Sequence, residues 1–133
     1  MIDDANEKKK LFMVDDDEVH LVTAELFLGK EYEIYKMKSG NEALEYLRNN
    51  KFVPDMILLD IMMPNMDGWE LLKKIKKIDF LENVPIVFLT AVTEEMEIKR
   101  ACKEGVADYI TKPFNMVELK NKIKEVIKGH KMK

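Results

Sequence analysis

Two acidic clusters each close a strongly apolar run in this chain. The first is Leu11-Phe12-Met13-Val14-Asp15-Asp16-Asp17, and the second is Met56-Ile57-Leu58-Leu59-Asp60, with Met63-Pro64-Asn65-Met66-Asp67-Gly68 just beyond it. Unit charges about 4 Å apart repel by about 1 kcal/mol in water, and several-fold more at an effective dielectric near 20. Gathered carboxylates therefore raise one another's pKa unless something positive sits among them. An all-oxygen set asks for a hard cation. Mg²⁺ keeps several waters and uses one or two carboxylates with phosphate oxygens, so it is the expected occupant, with Mn²⁺ as a candidate substitute. Lys112, in Thr111-Lys112-Pro113-Phe114, adds an ammonium. Three carboxylates, a divalent ion and an ammonium sum to zero charge, and such a site accepts a phosphoryl group. Carboxylate nucleophiles form acyl phosphates, and Asp60 is the candidate acceptor. Metal and lysine would screen the phosphoryl oxygens during an in-line displacement, and the Thr90 hydroxyl could donate to one of them.

The elements that must position these groups follow from periodicity. Short, wholly apolar runs read as strands buried on both faces, the mark of a parallel sheet. After the first run, Val19, Leu21, Val22, Leu26 and Phe27 recur at helical spacing, and Gly29 ends that helix. Residues 32–37 form a short strand. Ser39 with Glu42 makes a capping box for a helix whose Ala43, Leu44 and Leu47 face inward. Pro54 precedes the strand ending at Asp60, and Asp67 with Glu70 caps a helix carrying Trp69, Leu71, Leu72 and Ile75. Residues 85–90 are the next buried strand. Thr93 caps a charged helix running to Gly105, and 107–111 is a shorter strand. Asn115 with Glu118 opens the last helix, with Val117, Leu119, Ile123, Val126 and Ile127 along one face.

Strand and helix thus alternate five times. That pattern predicts an α/β (βα)5 fold: a doubly wound, five-stranded parallel sheet, flavodoxin-like, in the order 2-1-3-4-5. Ligands of such sheets bind outside the carboxyl ends of the strands. Asp15 and Asp16, Asp60, Thr90 and Lys112 end four of the strands and open onto that one edge. Residues 10–128 read as one domain, with a flexible segment at 1–9 and a tail at 129–133.

The 133 residues suffice for a single core, and a formal charge of −3 argues against direct nucleic-acid binding. No apolar run approaches a membrane span, and no segment is arranged as a signal peptide. A single cysteine, Cys102, permits no internal disulfide and suits a reducing cytoplasm. Asp17 reads as a helix-start residue, Asp67-Gly68 as a cap and tight turn, and Trp69 as half-buried packing. His20 and His130 lack metal-ligand spacing and read as solvent-facing.

At these residues the chain closely resembles the receiver domain of two-component response regulators, over roughly residues 10–128. The resemblance is carried by Asp15-Asp16, Asp60 in Leu59-Asp60-Ile61-Met62-Met63-Pro64, Thr90 in Phe88-Leu89-Thr90-Ala91, and Lys112 in Tyr109-Ile110-Thr111-Lys112-Pro113-Phe114. It implies a signalling switch in which Asp60 takes a phosphoryl group from a phosphohistidine of a sensor histidine kinase or histidine phosphotransfer protein. It also implies that Asp16, Asp60 and the backbone carbonyl of Met62 hold Mg²⁺ directly and Asp15 through water. Lys112 would pair with the phosphoryl group, Thr90 would move toward it, Tyr109 would swing inward, and the Lys112–Pro113 bond would be cis. An output protein would read the surface around the fourth helix, fifth strand and fifth helix, with the chain monomeric or dimerising on phosphorylation. The chain holds no DNA-binding or enzymatic output segment, so it reads as a stand-alone regulator or as a receiver from a hybrid kinase or multidomain regulator. Uncharged Met62 and Val92 occupy the positions that tune phosphoryl lifetime in that family. A Mg²⁺ phosphatase with an Asp nucleophile is the competing class, but Met62 stands where its acid/base Asp belongs. A flavodoxin-type cofactor site would require a phosphate cradle where this chain has three aspartates.

Overall fold

A computed structural model describes residues 7–91, 95–113 and 115–129. Five strands are β1 (Lys9–Val14), β2 (Tyr32–Met37), β3 (Met56–Asp60), β4 (Ile86–Thr90) and β5 (Asp108–Thr111). The helices are α1 (Glu18–Leu28), α2 (Gly40–Asn50), α3 (Gly68–Lys76), α4 (Glu95–Lys103) and α5 (Met116–Ile127), and a 3-10 turn at Asp79–Leu81 precedes β4. All strand pairings are parallel, in the order β2-β1-β3-β4-β5. This is the flavodoxin-like arrangement anticipated above.

The sheet divides the core in two because successive side chains of a strand point to opposite faces. Leu11 and Met13 of β1 join Leu58 of β3 and Leu89 of β4 under α1 and α5, whose Leu21, Leu28, Leu119 and Ile123 complete that layer. Phe12, Val14, Ile57, Leu59 and Phe88 point the other way, onto Leu44 and Leu47 of α2, Leu71 and Leu72 of α3, and Ala101 of α4. β3 and β4 are buried at every position, as their unbroken apolar runs require.

The starts of α1, α2, α3 and α5 are fixed by side-chain caps. Asp17, Ser39, Asp67 and Asn115 each accept from a backbone N–H in the first turn: those of Val19, Glu42, Glu70 and Glu118. Such caps contribute about 1 kcal/mol each, and they set where each helix departs from its strand. Thr93, Val92 and His130, which carry expectations stated above, lie outside the described residues, as does Phe114.

Two helices depart from the pattern read in the sequence. On α1 the buried residues are Leu21, Ala24 and Leu28, whereas Leu26 is 75% and Phe27 61% exposed, with Val19 and Val22 also outside. α1 is apolar around most of its circumference, and the sheet takes only one stripe. On α5, Leu119, Ile123 and Val126 are buried and Val117 is exposed.

Candidate functional site

The carboxyl ends of β1, β3, β4 and β5 meet at one edge of the sheet. β1 pairs with β3 through Val14 and Leu59, which sets Asp15 and Asp60 side by side one residue further on. Asp15 is wholly buried and Asp60 nearly so, while Asp16 is exposed. Carboxylate oxygens of Asp15, Asp16 and Asp60 all lie within 4.8 Å of one another. Lys112 Nζ bridges the two buried acids, 3.4 Å from Asp15 Oδ2 and 3.3 Å from Asp60 Oδ2. The lysine is held there by its own backbone, whose N–H donates to Thr90 O at 2.6 Å. The Lys112–Pro113 peptide is cis, as expected.

The charges do not balance. Burial, and then the neighbouring Asp15 charge, push the Asp60 carboxyl up to about 6. The Lys112 ammonium and the Met62 N–H, which donates to Asp60 Oδ1 at 3.2 Å, pull the other way without cancelling the rise. One ammonium is thus too little positive charge for the cluster. An all-oxygen donor set with excess negative charge fits a hard divalent cation, which would relieve the ionised Asp60.

Beside Asp60 the chain folds tightly on itself. Gly68 N–H donates to Ile61 O at 2.8 Å, and Asn65 takes a left-handed conformation with φ 68°. A Cβ on Gly68 would stand 2.7 Å from Ile61 Cα and 2.9 Å from Asp60 O. Only glycine permits this close return, which starts α3 right against the end of β3. Met62, two residues beyond Asp60, is exposed and carries no acid/base group.

Thr90 ends β4, buried, and Tyr109 lies opposite Phe88 on β5, half-buried. Both line a cleft with Ile61, Ala101, Glu97 and Ile98 whose free volume is only about 10 Å³. Trp69 of α3 packs edge-on against Phe88 and lies under the Arg100 guanidinium of α4, 3.9 Å from the ring centre.

His20 corrects the reading given above. It is 40% exposed at its side chain but not free of the site: its Nδ1 lies 2.9 Å from Asp15 Oδ2 and 3.5 Å from Lys112 Nζ. The missed signal was positional. Asp17 caps α1, so His20 is in the first turn, and helical side chains lean toward the N-terminus. That direction aims the ring at the acidic cluster.

A doubly wound parallel sheet with a buried acid pair, a third acid and a lysine at its switch edge defines a class of α/β proteins that handle charged ligands there. The comparisons narrow it. The family model for the response regulator receiver domain matches residues 11–124, and the chain belongs to that family. It is 37% identical over 118 residues to the transcriptional regulatory protein CrdR of Helicobacter pylori, covering 88% of this chain and 54% of that protein. This chain therefore spans about half the length of that relative. Among solved structures it is similar to the chemotaxis protein CheY4 of Vibrio cholerae, with a TM-score of 0.83 and 27% identity, covering 90% of this chain and 99% of that one. A two-component response regulator from Clostridium difficile matches with a TM-score of 0.80 and 31% identity, over 92% and 98% of the two chains. Among the described residues, no helix is long and apolar enough to cross a membrane.

Proposed function

We propose that this receiver domain is a phosphorylation-controlled switch in which Asp60 accepts a phosphoryl group from a phosphohistidine on a kinase or phosphotransfer protein. The observation that carries this reading is the bridge of Lys112 between Asp15 and Asp60 at the carboxyl edge of the sheet. One oxygen of ionised Asp60 forms the new P–O bond while the P–N bond to the donor imidazole breaks. The bonding pair stays on that nitrogen. Lys112 moves its charge toward the incoming phosphoryl oxygens, stabilising negative charge as the bond forms. Asp16, Asp60 and the Met62 carbonyl would hold Mg²⁺ directly, with Asp15 contributing through water. Such a cation would supply electrostatic stabilisation of the phosphoryl oxygens.

Thr90 turns its hydroxyl to the acquired phosphoryl group. Thr90 and Tyr109 line one narrow cleft, so the Tyr109 ring swings inward to fill the space that Thr90 leaves. Two groups that share one space give two discrete states, which phosphorylation biases. The surface of α4, β5 and α5 carries that change to an output protein.

The α1 stripe Val19, Val22, Leu26 and Phe27 supports docking by a protein donor. It is exposed and continuous, through His20, with Asp15. A partner seated there stands beside Asp60. Met62 supports an acceptor over a hydrolase, because nothing at that position activates water.

The test is to incubate the chain with Mg²⁺ and a small acyl-phosphate donor and record the intact mass. Addition of one phosphoryl group, absent in Asp60→Asn and in EDTA, is the expected result. Rapid multiple turnover of a phosphomonoester, or no adduct from either a small donor or a phosphohistidine protein, overturns the reading.

A further inference from the structure

The buried acid Asp15 is held by more than the lysine bridge. Its Oδ1 accepts the Asp17 N–H at 2.9 Å, and its Oδ2 faces both His20 Nδ1 at 2.9 Å and Lys112 Nζ at 3.4 Å. An ionised carboxylate only accepts, so the proton shared with His20 sits on Nδ1. The 3.5 Å between Lys112 Nζ and that same Nδ1 is then a contact, not a second hydrogen bond. The other ring nitrogen, Nε2, lies 3.5 Å from Asp17 Oδ2, beyond the usual N–H···O range.

Lys112 is committed to neither acid. Charge-assisted N–H···O bonds run about 2.7–2.9 Å, and both of its contacts are longer than that. A phosphoryl group brings three strong acceptor oxygens and up to about two negative charges. Placed on Asp60, it outcompetes Asp15 for the ammonium. Among the described side chains Asp15 Oδ2 then keeps one donor, His20, and a buried carboxylate oxygen that loses its protein donors is costly.

We propose that His20 is a positioning residue: its Nδ1–H keeps the Asp15 carboxylate turned toward Asp16 and Asp60 while Lys112 is drawn to the phosphoryl group. The inference rests on the phosphoacceptor reading above. The ring is well placed for this role. It stands in the first turn of an α1 whose start is fixed by the Asp17 cap, and beside Thr23 and Ala24 it borders a cavity of about 450 Å³ that Lys112 also lines.

The test compares wild type, His20→Leu, His20→Ala and His20→Asn as full chains. Asn carries its amide nitrogen at the place of Nδ1 and restores the hydrogen bond without the ring. Mg²⁺ affinity is measured by calorimetry on the free chain. In the presence of beryllofluoride, a stable phosphoryl mimic, the Mg²⁺ dependence of its uptake is read by fluorine NMR. Thermal unfolding checks the fold, which Leu favours as the better helix former. His20→Leu and His20→Ala should weaken Mg²⁺ by about threefold in the free chain, where Lys112 still serves Asp15. With the mimic in place the loss should reach about tenfold. His20→Asn should stay near wild type in both states. Unchanged affinity in the Leu and Ala variants, equal weakening in the two states, or an Asn variant as weak as Leu overturns the positioning role alone. A wild-type chain that takes up neither Mg²⁺ nor beryllofluoride overturns the phosphoacceptor reading, and this inference with it.

Discussion

Removing the charge of Asp60 should make the metal-free protein more stable. The Asp60 carboxyl is pushed from an ordinary 3.8 up to about 6, first by burial and then by Asp15. Between those values the folded chain keeps a proton that the unfolded chain has released, so stability falls as pH rises through the window. Below the window both states are protonated and nothing is lost. Above it both are ionised and the full cost is in place, on the order of 1–2 kcal/mol after solvent screening of this partly solvated group. Asp60→Asn removes that cost but also one partner of Lys112, which leaves a net gain of up to about 1 kcal/mol.

For a chain of this length each kcal/mol moves Tm by about 3–5 °C. The assay is thermal and urea unfolding in EDTA, followed by Trp69 fluorescence, at several pH values from 4 to 8. The Asn variant should lead near pH 7.5, and its lead should shrink as pH falls through the window. Added Mg²⁺ should narrow or reverse the order, because a ligand that binds only the folded state stabilises it by mass action and the variant has lost a carboxylate. A variant less stable than wild type near pH 7.5 in EDTA, or a lead that ignores pH, refutes the reasoning.

Lys112→Gln removes the strongest force lowering the Asp60 carboxyl, so that group should titrate above about 6 in carbon NMR, and phosphoryl uptake from a small donor should fall at least about tenfold. Gly68→Ala drives a Cβ into backbone at 2.7 and 2.9 Å. Urea unfolding should show a loss of about 1–3 kcal/mol; an unchanged midpoint would mean the Ile61–Gly68 return is soft. Leu26→Gln with Phe27→Gln alters only exposed side chains of α1, so stability should stay within about 0.5 kcal/mol. Phosphoryl uptake from a protein donor should fall severalfold in that variant while uptake from a small acyl phosphate is unchanged. Equal uptake from the protein donor would remove α1 from the docking surface.

Most of the fold was legible because its elements are marked redundantly. β3 and β4 are apolar at nearly every position and buried at every one, and Asp17, Ser39, Asp67 and Asn115 cap their helices as the residue types suggest. α1 was not fully legible. Leu21, Ala24 and Leu28 recur at helical spacing, and so do Val19, Val22, Leu26 and Phe27. Periodicity identifies the helix but not which of two apolar stripes the sheet covers. The direction in which the chain leaves β1 decides that, and it is a property of the packed structure. The 3-10 turn at Asp79–Leu81 lacks any strong local mark for the same kind of reason: three residues are too few to show a period.

Asp15, Asp16 and Asp60 could be read instead as ornaments of a helix N-terminus, where carboxylates gain about 0.3–1 kcal/mol. The geometry separates them. Asp17 accepts the Val19 N–H and does that work. Asp60 belongs to β3, and among the described residues its side chain accepts one backbone bond, the 3.2 Å one from Met62. Its ionised form is destabilised by burial and by Asp15. A carboxylate kept where it weakens the fold is a conflict between local chemistry and global stability, and such conflicts concentrate at functional sites. His20 belongs to the same conflict. A histidine in the first turn of α1 contributes little to the core, yet its Nδ1 meets the one wholly buried carboxylate of the cluster. What joins these residues is charge in excess of its local compensation, which the proposed cation and phosphoryl group would complete.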